Sequence, residues 1–232
     1  MSGKTGPDII ESGLVLCLDA ANKNSYRGSG TTWTDLSGNG NNGTLTNGPT
    51  FSAGNMGRIV FDGTNDYISF GNNGSTTAFD FGTSNITFAF WIYPTNWADG
   101  TSRGIITKKA NDASGGWVIY NDGGYATKIN ARIGLQNNFP SSTSVTTNIW
   151  QNWTLTRNST TLSWYYNGVF DTSATQTVYN VSDTSVELQI ARSQTWNGYF
   201  VGNISNLLFY NRALSATEVL QNYNATRVRF GR

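Results

Sequence analysis

Residues Asn152–Asp171 read NWTLTRNSTTLSWYYNGVFD. Apolar and polar side chains alternate through Trp153–Arg157 and again through Leu162–Tyr166. That two-residue period belongs to a strand with one buried face. The first two runs flank Asn158–Thr161, and Asn167-Gly168 closes the second. Asn-Gly in this setting supplies the two positive φ angles of a type I′ hairpin turn. Strands joined so tightly run antiparallel. The stretch therefore predicts sheets assembled from hairpins and longer Greek-key returns.

The same punctuation extends in both directions. Strands are expected at Leu14–Leu18, Arg58–Asp62, Tyr67–Phe70, Ile86–Tyr93, Gly104–Lys108, Trp117–Tyr120 and Asn130–Leu135. Val186–Ala191 and Phe200–Tyr210 complete the set, and Asp122–Gly124 offers another turn. In SVELQIA, Val186, Leu188 and Ile190 share one face, leaving Glu187 and Gln189 on a half-wet one. A single helix is specified in RALSATEVLQNYNA. Ser215 and Glu218 form a capping box, and Leu214 and Val219 a hydrophobic staple. The fold class is all-β, with one short C-terminal helix.

The chain has 232 residues, 15 Lys plus Arg against 14 Asp plus Glu, and no histidine. This balance lacks the basic surplus of a nucleic-acid binder. Aromatics at 13% are too many for a disordered chain. MSGKTGPDII lacks the apolar core of a secretion signal, and no run is long enough to span a membrane. The lone Cys17, inside LVLCL, reads as a buried structural thiol. We expect an N-terminal arm (1–12), one domain (13–224) and a basic tail (225–232), whose Arg227, Arg229 and Arg232 suit an acidic partner surface.

WTDLSGNGNNGTLT, Trp33–Thr46, begins like an EF-hand loop, with Asp35, Ser37, Asn39 and Gly40 at positions 1, 3, 5 and 6. Position 12 is Thr46 where a bidentate Glu is required, so the loop reads as a turn relieved by Gly and Asn.

Five motifs in order carry a resemblance: the DLSGNGNNGT turn, FDGTNDY, ITFAFWIYPT, WYYNGVFD and the closing WNGYFVGNISNLLFYNRALSATEV. Together they resemble the LamG-like family of concanavalin A-type jelly rolls, over about residues 13–224. The resemblance implies two antiparallel sheets packed face to face. It also implies a calcium ion at the sandwich edge, with Asp62 and Asp66, joined by Asp19, as its ligands. Ser205 and Asn206 depart from the two acidic residues that many relatives carry in the closing strand. Free-standing chains that begin GLVLCLDAANKNSY and close NYNATRVRFG resemble structural proteins of tailed bacteriophages.

Glycan cleavage needs two carboxyl groups flanking one bond. The only Glu residues are Glu11, Glu187 and Glu218, and no expected strand carries acids at i and i+2. Without histidine, Ser-His and Cys-His nucleophiles are excluded, as are the usual zinc ligands. Sugar binding needs an open aromatic face beside planar amides or carboxylates. Trp97, Tyr125, Phe139 and Trp196 fall in loop contexts, near Asn121, Asp122 and Asn197, whereas Trp91, Trp117, Trp153 and Trp164 read as core. The expectation is a non-enzymatic virion surface protein, made in the host cytoplasm, that contacts other virion proteins and host-surface glycans. A homo-oligomer is a further expectation. The alternatives are a purely structural capsid or tail decoration protein and a glycan-degrading enzyme.

Overall fold

The computed structural model describes residues 8–232 except 55, 56, 72–75, 112, 114, 126 and 136. The described chain runs through β1 (Leu14–Asp19), β2 (Thr32–Trp33), β3 (Gly43–Thr46), β4 (Thr50–Ser52), β5 (Arg58–Asp62) and β6 (Tyr67–Ser69). Next come β7 (Ile86–Pro94), β8 (Arg103–Lys108), β9 (Trp117–Asn121), β10 (Ile129–Ile133), β11 (Phe139–Pro140) and β12 (Gln151–Asn158). Then follow β13 (Thr161–Tyr166), β14 (Val169–Thr175), β15 (Gln189–Ile190), β16 (Val201–Tyr210) and helix α1 (Ala216–Thr226). Sheet A has the order β14-β13-β12-β7-β16-β5-β4, with β1 also paired to β16; sheet B has the order β11-β10-β9-β8-β15-β6-β3-β2. Strand pairing within both sheets is antiparallel.

The Asn-Gly turn does what its composition requires. Asn167 and Gly168 take φ of 49° and 78°, and Tyr166 faces Val169 across the hairpin. A Cβ on Gly168 would also lie 2.9 Å from the Tyr223 side chain, so positive φ and close approach both favour glycine. β7 and β12 extend this meander inward through paired Phe90 and Trp153, then Phe88 and Leu155. Between the sheets, Phe88 stacks on Trp117 with centroids 4.2 Å apart, and Phe209 meets both rings edge-on. Buried aromatics in such offset and edge-to-face contacts contribute more than their area alone.

Two buried cations close one end of the sandwich. Lys108 is fully buried; its Nζ lies 2.9 Å from Asp80 and donates to the carbonyls of Asp183 and Val186. Burial lowers the pKa of Arg157 to about 10, and its guanidinium donates to the Ser84 and Gly82 carbonyls. Charges taken out of water need such partners.

The outer face of sheet A is covered by residues 8–12 and by the C-terminal segment. Ser215 and Glu218 form the expected capping box. Leu214 and Val219 are buried with Cys17, Leu208 and Tyr210. Residues of the expected arm join this layer: Ile10 N–H donates to Asn222, and Tyr210 Oη donates to the Ile10 carbonyl. The basic tail is docked as well. Phe230 is 6% exposed and stacks on Trp91 at 4.1 Å, with Trp150 beside it at 4.8 Å. Arg229 grips Asp19 through 2.8 and 2.9 Å contacts, and Arg232 donates to the Trp150 carbonyl at 2.9 Å. Arg227 donates to the Arg232 carbonyl. Two of the three arginines assigned to a partner are thus bonded to the body of the fold, because Phe230 between them buries an apolar ring.

Two further expectations change. Val186–Ala191 narrows to the two-residue β15, and Gln189, expected on a half-wet face, is 4% exposed. Trp91 is buried as expected, but under the C-terminal segment and not between the sheets.

Candidate functional site

Sheet B turns its other face away from the sandwich. Ile119 and Ala131 point into the core, so Tyr120, Asn130 and Arg132 alternate to the outside; Asn130 faces Tyr120 directly across β9 and β10. After β15 the chain folds back across this face. Gln194 donates to the Glu187 carbonyl at 2.7 Å, Thr195 to that of Lys109 at 3.2 Å, and Ser193 N–H to that of Gly198. This return lays Trp196 on Tyr120, with centroids 4.6 Å apart and planes tilted by 33°.

Polar groups converge on the two rings. The Arg132 guanidinium lies 5.4 Å from the Trp196 centroid and 6.0 Å from that of Tyr120. Arg132 Nε donates to Asn138 Oδ1 at 2.6 Å, and so does Tyr120 Oη. Asp122 Oδ2 accepts from Asn138 Nδ2, while its Oδ1 accepts from Gly124 N–H. Tyr120 is 1% exposed and forms a floor; Trp196, Asp122, Arg132 and Asn138 are half-buried around it. Asn130 Oδ1, Thr107 Oγ1 and Gln189 Oε1 are buried on this side of sheet B without a hydrogen-bond partner. Unsatisfied buried acceptors are costly, and each calls for an explanation beyond packing. An indole, a guanidinium, a primary amide and a carboxylate together supply a ring for C–H surfaces and donors and acceptors for hydroxyls.

Of the expected sugar contacts, Asp122 and Trp196 come together here. Asn197 lies on the far side of the same return, accepting from Arg192 at 3.1 Å and Tyr199 at 3.3 Å. Trp97 is not available: it is 2% exposed, and the buried Asn121 amide donates to its carbonyl. Both residues hold a loop down, so neither meets a ligand. Phe139 is buried beneath Trp164. The side chain of Tyr125 lies outside the described residues. Tyr120, Arg132 and Asn138 escaped the sequence reading. For Tyr120 and Arg132 the signal was the face opposite Ile119 and Ala131, where alternation turns a tyrosine and an arginine outward; Asn138 lies outside the strands and gave none.

The proposed calcium ligands do not converge. Asp19 is taken by Arg229. Asp62 and Asp66 are neighbours, but Asp62 Oδ1 accepts from Thr64 N–H and Asp66 Oδ2 from Asp62 N–H, as in a tight turn. Burial foremost raises the Asp66 pKa, with the Asp62 carboxyl adding to it. Ser205 and Asn206 donate to the Gly57 and Leu18 carbonyls. Among the described residues no cluster of three or more acidic, Cys or His groups forms. Calcium takes six to eight oxygens, which this pair does not furnish. Within Trp33–Thr46, residues 34–42 form the turn between β2 and β3: Asp35 accepts from the N–H groups of Cys17, Ser37 and Asn41.

Elsewhere, a groove of about 350 Å³ runs past Ile9, Cys17, Leu36 and Arg229, and a recess of about 180 Å³ lies by Tyr26 and Phe51. In the groove the charged pair Asp19–Arg229 is self-satisfied, and burial pushes the Cys17 thiol up to about 12. That thiol is inert at neutral pH.

The model of the concanavalin A-like lectin/glucanases superfamily matches residues 62–220. No curated protein sequence matches the chain. Among solved structures it is similar to Trypanosoma rangeli sialidase in complex with sialic acid (TM-score 0.70, 16% identity, 97% of this chain and 35% of that one). It is also similar to the binding domain of Paraclostridial Mosquitocidal Protein 1 (TM-score 0.69, 20% identity, 93% and 52%). A third is domain 4 of AbnA, a GH43 extracellular arabinanase from Geobacillus stearothermophilus, in complex with arabinotriose (TM-score 0.65, 16% identity, 90% and 98%). The chain thus spans about a third of the sialidase and half of the mosquitocidal chain, but nearly all of the arabinanase domain. At these identities the likeness is one of fold. Sheet order, strand pairing and the match over residues 62–220 agree: the chain belongs to the concanavalin A-like lectin/glucanase superfamily.

Proposed function

We propose that the protein binds a glycan on the outer face of sheet B, at Trp196, and does not cleave it. The observation that carries this reading is the half-buried Trp196 ring, set against Tyr120 and ringed by Arg132, Asn138 and Asp122. The carboxylates on this face are occupied. Both oxygens of Asp122 accept from protein donors, and those of Glu187 accept from Ser69, Gly71 and Gln189. An acid and a base spaced across a scissile bond are not formed by such an arrangement. The solved arabinanase domain holds arabinotriose, and a fold of this type suits the same task here.

We place this binding face on a virus particle, following the resemblance of the chain's opening and closing segments to phage structural proteins. The geometry is compatible with that setting: residues 8–12 and 216–232 pack on sheet A, so attachment on that side leaves sheet B facing outward. The test is a glycan array probed with the full chain and with Trp196→Ala. Removing a stacking ring should weaken binding about tenfold or more. Array binding unchanged by the substitution would remove the site, and release of reducing ends from a bound polymer would overturn the non-catalytic reading.

A further inference from the structure

On the opposite flank of the same chain return from Trp196 lies a second ring-stacked arginine, Arg192. Arg103, Arg212 and Arg229 each hold a carboxylate, on Asp99, Glu218 and Asp19. Arg192 pairs with no carboxylate among the described residues. Its guanidinium carbon lies 5.1 Å from the Tyr67 ring centroid and 5.5 Å from that of Tyr199. Nη2 donates to Asn197 Oδ1 at 3.1 Å, and Tyr199 Oη donates to the same oxygen at 3.3 Å. Nε is buried and has no partner. Two rings and one amide therefore orient a planar cation that no carboxylate among the described residues neutralises.

We infer that Arg192 is a carboxylate subsite of the glycan-binding face, and that the ligand is an acidic sugar. This rests on the glycan reading of Trp196. Stacking on aromatic rings fixes the guanidinium plane before binding, so little rotamer freedom remains to be lost. A planar carboxylate matches the fork of N–H donors in a way a neutral hydroxyl does not. Tyr67 lies on β6 and Tyr120 on β9, with β15 and β8 between them in the sheet. Three strand spacings of about 4.8 Å separate the two clusters by about 14 Å, a span that a short oligosaccharide bridges. One end would rest on Trp196 and the other bring its carboxylate to Arg192.

The experiment is an array of uronic- and sialic-acid oligosaccharides printed beside their carboxyl-reduced, neutral counterparts, with dextran sulfate as a charge control. It is probed with the full chain, Arg192→Gln and Arg192→Lys at physiological salt. A charge-assisted pair predicts about tenfold preference of the wild type for at least one acidic sugar over its reduced form. Arg192→Gln should bind both forms equally, and Arg192→Lys, which keeps the charge but loses the planar fork, should lose most of the preference. Equal wild-type binding to acidic and reduced forms overturns the subsite and leaves the Trp196 reading standing. Full preference retained in Arg192→Lys, or equal attraction to dextran sulfate, reduces the effect to diffuse charge and also overturns it. Binding to neither form sinks both readings together.

Discussion

Replacing Phe230 with alanine tests whether the C-terminal segment is structural. The ring is 6% exposed, 4.1 Å from the Trp91 centroid and 4.8 Å from that of Trp150, and the Arg229 guanidinium lies 5.5 Å from it. Truncating a buried aromatic to alanine costs about 3–5 kcal/mol. Phe230 packs on the outside of a sheet, where the neighbouring turn can settle into the space, so the lower bound of about 3 kcal/mol applies. For a chain of 232 residues each kcal/mol moves the melting midpoint by about 2–4 °C, which gives a fall of about 6–12 °C. Scanning calorimetry and urea titration monitored by tryptophan fluorescence would measure it. Val228→Ala is the control: that side chain is 80% exposed two residues earlier, and its loss should stay within about 0.5 kcal/mol. A Phe230→Ala variant within about 1 kcal/mol of wild type would show that the tail contributes no packing energy, and the account of sheet A's covering layer would fail.

The Arg212–Glu218 pair predicts an acid-sensitive helix. Hydrogen bonding to Arg212 first, and to the Ser215 N–H second, lowers the Glu218 pKa from its usual 4.5 to about 2. A depressed carboxylate stabilises the fold above about pH 4.5 and loses that contribution as pH falls toward 2. Glu218→Gln should therefore cost roughly 1 kcal/mol at pH 7, after allowance for solvent screening, and almost nothing at pH 2. A gap independent of pH would refute it. For the calcium expectation, Asp62 and Asp66 bonded as a turn predict that millimolar chelator leaves the melting midpoint in place; a clear fall would restore a metal there.

What the sequence made legible was local. Asn167-Gly168 announced its hairpin because only two residues separate the strands, and Ser215-x-x-Glu218 announced its helix because the cap is complete within four positions. Trp97 misled for the same reason. Its neighbours Asn96, Asp99 and Gly100 read as an exposed loop, yet a side chain 24 residues away, Asn121, holds that loop inward. Gln189 was placed on a wet face by correct alternation, but residues 193–196 return over it from beyond the strand. Arg229 was assigned to a partner surface, yet its carboxylate partner is Asp19, 210 positions earlier in the same chain. Trp196 was visible as a candidate; its floor, Tyr120, and its polar companions Arg132 and Asn138 arrive from strands and turns that only the folded sheet brings together. β2, β4 and β11, of two or three residues each, are too short to carry a period.

With residues 8–12 and 216–232 gathered on sheet A, the molecule has a back and a front. A tag, a fluorophore or a fused neighbour joined at Arg232 sits behind sheet A, so a sensor chip coated through that end would display Trp196 and Arg192 to the flowing analyte. Random coupling through lysines would scatter the orientations, and the two immobilised layers should then differ in active fraction while sharing one affinity.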